Sequence, residues 1–226
     1  MRRQAIAFLA DALRPVFSRR LVVPVIVLTV LLTATNIIIV LNIPAPGEIS
    51  ARFVAAAIAR VAGLLVLAVG ILRILSASAR RPWRPDGGFW LYALGTLALI
   101  LVSGLIARLI GDRADPIALL GSSALFALIV APLAPWLVAM AVAKPLAWRP
   151  GPYFRALGLW LPQLVFWSLL LATPLAALHA WIDSSVVGGA RDWFWPKMLF
   201  DGPLSVAVAL LGFGLQSAAY RRVARS

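Results

Sequence analysis

Residues Leu21 to Leu41 form an unbroken run without a single charge, directly after the pair Arg19-Arg20. At about 1.5 Å per helical residue such a run crosses roughly 30 Å of hydrocarbon. It predicts a transmembrane helix, and the abutting arginines place its N-terminal end in the cytoplasm, where Lys and Arg are retained. The run exceeds the roughly 7–15 apolar residues of a secretory signal, and Ile43-Pro44-Ala45-Pro46 is a poor small-x-small cleavage site. The first span is therefore expected to stay uncleaved.

The same criterion along the chain gives six spans, at about 21–42, 51–75, 89–110, 116–143, 155–182 and 202–220. Turn residues separate them. Pro44, Pro46 and Gly47 precede Ser50, a good N-cap for the second span. Pro82, Pro85, Gly87 and Gly88 break a basic loop holding Arg73, Arg80, Arg81 and Arg84. Arg108, Asp112, Arg113 and Asp115 make a nearly neutral turn, and Pro116 suits the first turn of span four. Lys144, Arg149 and Arg155 follow that span, with Pro145, Pro150, Gly151 and Pro152 among them. Pro132 and Pro135 lie inside span four and Pro162 and Pro174 inside span five, where missing backbone donors predict kinks. The longest hydrophilic loop runs from Asp183 to Asp201. It contains Gly188-Gly189 and the cluster Trp193-Phe194-Trp195, which suits the headgroup level.

Composition agrees: the chain is 62% hydrophobic and 13% charged, with a mean hydropathy of +0.96. The net charge of +13 would suit nucleic acid only if it formed a basic face on a soluble surface. Here the basic residues fall in short clusters between apolar runs, so no nucleic-acid partner is expected. With both ends inside, the cytoplasmic segments hold fifteen Lys and Arg against Asp11 and Asp86, and the other side holds six against six acids. A wrong span count would scramble that alternation. The expected setting is a bacterial inner membrane, with anionic headgroups meeting the cytoplasmic clusters.

In residues 1–20, Ile6, Leu9, Leu13, Val16 and Phe17 recur at helical spacing among Arg2, Arg3, Arg14, Arg19 and Arg20. They predict a short amphipathic helix lying on the membrane surface and broken at Pro15. Residues 221–226 read as a basic cytoplasmic tail. The fold class is thus all-α, a polytopic bundle of six transmembrane helices with an N-terminal interfacial helix.

Few side chains carry chemistry. Arg60 lies inside span two, where a guanidinium costs roughly 2.5–3.5 kcal/mol on insertion scales and usually finds a partner. Thr29, Thr33 and Asn36 form a polar stripe on span one, and Asn36 and Arg60 could face one another across a hairpin. Such a pair would suit an anion or headgroup, or would simply join two helices. His179 and Asp183 share a helical face, a pairing used for acid-base work or metal binding but also common as an interfacial cap. Gln163 and Gln216 suit interhelical hydrogen bonds. Ala55, Ala59 and Gly63 form a row of small residues on span two, a helix-packing pattern. Cysteine is absent, and no zinc-protease, serine-hydrolase or nucleotide-binding motif occurs. No cofactor, metal or catalytic residue is therefore assigned from sequence.

Pro132 and Pro135, the segment Arg155-Ala156-Leu157 and the closing Ala218-Ala219-Tyr220-Arg221-Arg222 give the C-terminal half a resemblance. It resembles the six-span membrane domain fused to some bacterial glycerophosphodiester phosphodiesterases. The resemblance implies a membrane module without catalysis of its own, since the chain carries no soluble phosphodiesterase domain.

These features predict a non-catalytic integral membrane protein that anchors, scaffolds or regulates a membrane partner or a second copy of itself. A small permease and a lipid-modifying enzyme are the alternatives. Transport would need Arg60 and Asn36 to line a wet cavity with Gln163 and Gln216. Catalysis would need His179, Asp183 and Asp201 to converge beneath the Trp193–Trp195 cluster.

Overall fold

The computed structural model describes residues 2–44, 48–110, 115–143, 151–158, 160–187 and 193–224. Among these residues six helices are long and apolar enough to cross a membrane, and no strand occurs. An N-terminal helix, α1 (Arg2–Leu13), precedes them. The spans begin with α2 (Val22–Leu41), α3 (Ala51–Leu75), α4 (Gly87–Ile110) and α5 (Pro116–Val142). The short helix α6 (Gly151–Leu157) leads into α7 (Leu161–Trp167), which a π turn (Ser168–Ala172) joins to α8 (Thr173–Val187); α9 (Phe194–Val223) closes the chain. The turn at Pro46-Gly47, Asp112 and Arg113, the loop with Lys144 and Arg149, Gly188-Gly189 and Arg225 lie outside the described residues.

Helix starts follow local chemistry. The Ser50 hydroxyl accepts from the Phe53 amide at 3.3 Å, and the Asp115 carboxylate accepts from Ile117 and Ala118, with Pro116 at the first helical position. Helix α5 runs through both internal prolines. In the fifth span Pro174 has no amide to give the carbonyl four residues back. The chain widens there to a π turn, in which the Thr173 amide and hydroxyl both donate to the Ser168 carbonyl.

Helix α9 packs against α1, α2, α3, α5 and α8, while α4 sits on α5 at the periphery. Phe8 and Ala12 of α1, Leu157, Leu164, Leu215 and Ala219 form one core. Leu28, Leu32, Leu67, Ile71 and Val206 form another between α2, α3 and α9. Outward positions such as Val23, Val30, Leu101, Leu109 and Ile117 are strongly exposed. So many bare apolar side chains suit lipid and not water.

Three expectations need correction. The fifth span starts at Leu161, because residues 151–157 fold as the separate helix α6. The hydrophilic loop is shorter than Asp183–Asp201, since α8 continues to Val187 and α9 begins at Phe194. Charges in a sequence suggest helix ends, but here each carboxylate has a partner and the helix runs through it. The expected N-terminal helix α1 is present, and it turns Phe8 and Ala12 inward with Ile6 exposed; Phe17, beyond its end, is exposed too. The helix therefore docks on the bundle, with Trp167 Nε1 donating to the Ala5 carbonyl at 3.0 Å. In the small-residue row, Gly63 does lie against Leu31 of α2, but Ala55 and Ala59 face outward.

Candidate functional site

The two ends of the bundle are built differently. At the arginine-rich end, buried Arg73 donates from Nε to the Ala141 carbonyl at 2.9 Å and from Nη1 to the carbonyls of Arg81 and Arg84. Its Nη2 meets Asp86 Oδ1 at 2.6 Å, while Arg80 Nη1 meets Asp86 Oδ2 at 2.8 Å. Arg80 also donates to the Ala143 carbonyl, and Ser78 Oγ to the Val142 carbonyl. Arg221 reaches the Leu75 carbonyl at 2.6 Å. Cations thus satisfy the carbonyls that α3 and α5 leave unpaired at their C-termini, where the helix dipole is negative. Asp86 caps α4 through the Phe89 amide at 3.1 Å. Burial pushes its carboxyl up, but that amide together with Arg73 and Arg80 outweighs burial and holds the group below its ordinary value of 3.8. These contacts close the bundle end and leave no reactive group poised.

The opposite end gathers Asn36 from α2, Arg60 from α3, His179 and Asp183 from α8, and Asp201 and Ser205 from α9. Asn36 is the hub. Its Nδ2 donates to Asp201 Oδ2 at 2.6 Å and to Asp183 Oδ1 at 3.1 Å, and its Oδ1 accepts from Arg60 Nη1. The two acceptors and one donor fix which way the amide points. His179 Nδ1 lies 2.6 Å from Asp201 Oδ1 and 3.2 Å from Ser205 Oγ. A carboxylate can only accept, so Nδ1 carries the proton and donates to Asp201. His179 Nε2 then faces Asp183 Oδ2 at 3.7 Å, too far for a good hydrogen bond.

Burial divides the roles. The Asp201 side chain is wholly buried, whereas those of His179 and Asp183 are 24% and 36% exposed. Asp201 therefore holds the imidazole from the buried side, and Nε2 faces the partly exposed Asp183. With His179 neutral, two aspartates and Arg60 leave the group at −1; a proton on Nε2 brings it to zero. Gly202 lets α9 come this close, because a Cβ there would lie 1.8 Å from Thr33 Oγ1 on α2. Exposed Trp181, Trp193 and Trp195 ring the same end, as at a headgroup boundary.

No family model, curated protein or solved structure matches this chain. What the centre does must be read from its own geometry.

Of the sequence candidates, the structure unites Asn36, Arg60, His179 and Asp183. Gln163, half-buried in α7, stays apart, and Gln216 lines an apolar cavity further along α9. In the sequence Asp201 closes the hydrophilic loop, and Ser205 carries no signal at all. Spacing along one helix face would have linked them, since Asp201 and Ser205 stand four residues apart just as His179 and Asp183 do. Atoms of His179, Asp183 and Asp201 come within 4.8 Å of one another, the one such trio among the described residues able to bracket a metal ion. Imidazole with two carboxylates would suit a divalent cation, though the Asn36 amide already engages both carboxylates.

Proposed function

We propose that this multi-pass membrane protein is an enzyme acting on a lipid headgroup, with His179 as its acid-base group. The reading rests on one observation: buried Asp201 accepts the hydrogen bond from His179 Nδ1, so that Nε2 is turned to the partly exposed Asp183. That is the arrangement in which an imidazole accepts a proton from an attacking hydroxyl or water and returns it to the leaving oxygen. Asp183 stands beside Nε2, where it favours the imidazolium formed during transfer. Ser205 lies on the Nδ1 side, so it is not the nucleophile that Nε2 would activate. The non-catalytic scaffold expected from sequence has no use for a buried carboxylate that orients a partly exposed imidazole. A permease would need a wet path that joins this centre to both glutamines, and Gln163 is no part of it.

The arginine distribution supports both termini in the cytoplasm, which sets the centre at the outer leaflet of a bacterial inner membrane. The arginine-rich end then meets anionic headgroups on the inner side. To test the enzyme reading, membrane lipids would be profiled by mass spectrometry from cells producing wild type, His179→Gln or Asp201→Asn at matched levels. Wild type is expected to change the abundance of one headgroup class, and His179→Gln to abolish the change at least a hundredfold. Asp201→Asn should lose most of it too. Identical profiles for wild type and His179→Gln would overturn the assignment.

A further inference from the structure

A cavity of about 260 Å³ opens between α5, the π turn and α9. Ala127, Ala172, Ala176, Ala209 and Gly212 form much of its wall, and the π turn helps to shape it, contributing Ser168 and Ala172. A Cβ built on Gly212 would meet nothing within 4 Å, so the helix backbone itself faces open space there. All of these residues lie inside the membrane-spanning segments.

The cavity and the polar centre share the same two helix faces. On α8, Ala176 is one turn before His179; on α9, Ala209 is one turn after Ser205. A molecule with its polar end at His179 would therefore run straight into an apolar slot about one turn deeper. We propose that this slot holds an acyl chain of the lipid whose headgroup meets His179, which makes the substrate an acylated amphiphile and not a free polar compound. The inference rests on the enzyme reading for the headgroup end alone; the slot and its occupant stand on the apolar wall, the open space at Gly212 and the alignment. Lipid surrounds the chain, and a largely apolar slot beside a charged centre fits the two halves of such a molecule.

The test is lipid retention. Purified protein is equilibrated with vesicles of phosphatidylethanolamine and phosphatidylglycerol, washed in mild detergent, and its bound phospholipid counted by mass spectrometry. Wild type is expected to keep about one phospholipid per chain. Gly212→Leu, which fills the slot from one wall, should reduce retention at least tenfold, and Ala127→Leu from the facing wall should do the same. Gly212→Ala adds one methyl in open space and should retain lipid. Retention in Gly212→Leu and Ala127→Leu equal to wild type, or no lipid on wild type, overturns the proposal. Lipid lost from the two leucine variants while the cellular lipid profile ignores His179 would keep the slot and sink the enzyme; the reverse pattern would keep the enzyme and sink the slot.

Discussion

Arg73 shows how much of a residue's role a charge cluster hides. In the sequence it counts as one of a basic cluster expected on the cytoplasmic side, yet its guanidinium is buried against backbone carbonyls and Asp86. Arg73→Met would leave those carbonyls unpaired and take from Asp86 one of its two cations. Removing one partner of a buried pair costs about 3–5 kcal/mol, which denaturant unfolding in mixed micelles would measure; a loss under about 1 kcal/mol would show the network to be ornamental. Because the Asp86 carboxyl is held below its ordinary value, its contribution is complete above about pH 4 and lost as pH falls through the lowered native value. Wild type should thus lose stability below pH 4 more steeply than Asp86→Asn. At the other end, Asn36 and Arg60 were legible as polar groups inside spans. That Asn36 bridges two carboxylates was not, because helix partners far apart in sequence leave no mark on local spacing.

At the scale of elements, close approach decides what can meet. Gly202 brings α9 onto Thr33 of α2, and the centre depends on that contact, since Asp201 precedes it by one residue. Gly202→Leu should force the two helices apart and destabilise the protein by about 1–3 kcal/mol, as overpacking does. Pairing it with Thr33→Ala should recover part of the loss, visible as a rise in melting temperature of the double variant over the single. No recovery would mean that the glycine serves something else. The sequence shows why helices begin, at Ser50 and Asp115, better than why they continue. A carboxylate such as Asp201 halts a helix on paper only as long as its partners are unknown. Likewise Pro174 predicted a kink, and the chain met the missing donor by widening a turn.

For the whole molecule, six apolar runs were enough to name the class and the six helices long enough to cross a membrane. They left out how the spans are arranged, because hydropathy along a helix says nothing about which neighbour it faces. A phosphatase reporter fused after Ser226 should be inactive, and a cytoplasmic fluorescent one bright, if both termini lie inside; the opposite result would turn the centre toward the cytosol. The docking of α1 carries a last consequence. Arg222 sits 5.0 Å from the ring centre of Phe8 and 4.3 Å from that of Trp160, and it pairs with Asp11. A peripheral basic anchor lets go of its bilayer when ionic strength rises, because screening weakens its only hold. Here the grip is a wholly buried phenylalanine ring, indifferent to dissolved ions, so the first helix belongs to the folded body and travels with it rather than acting as a tether that salt could peel away.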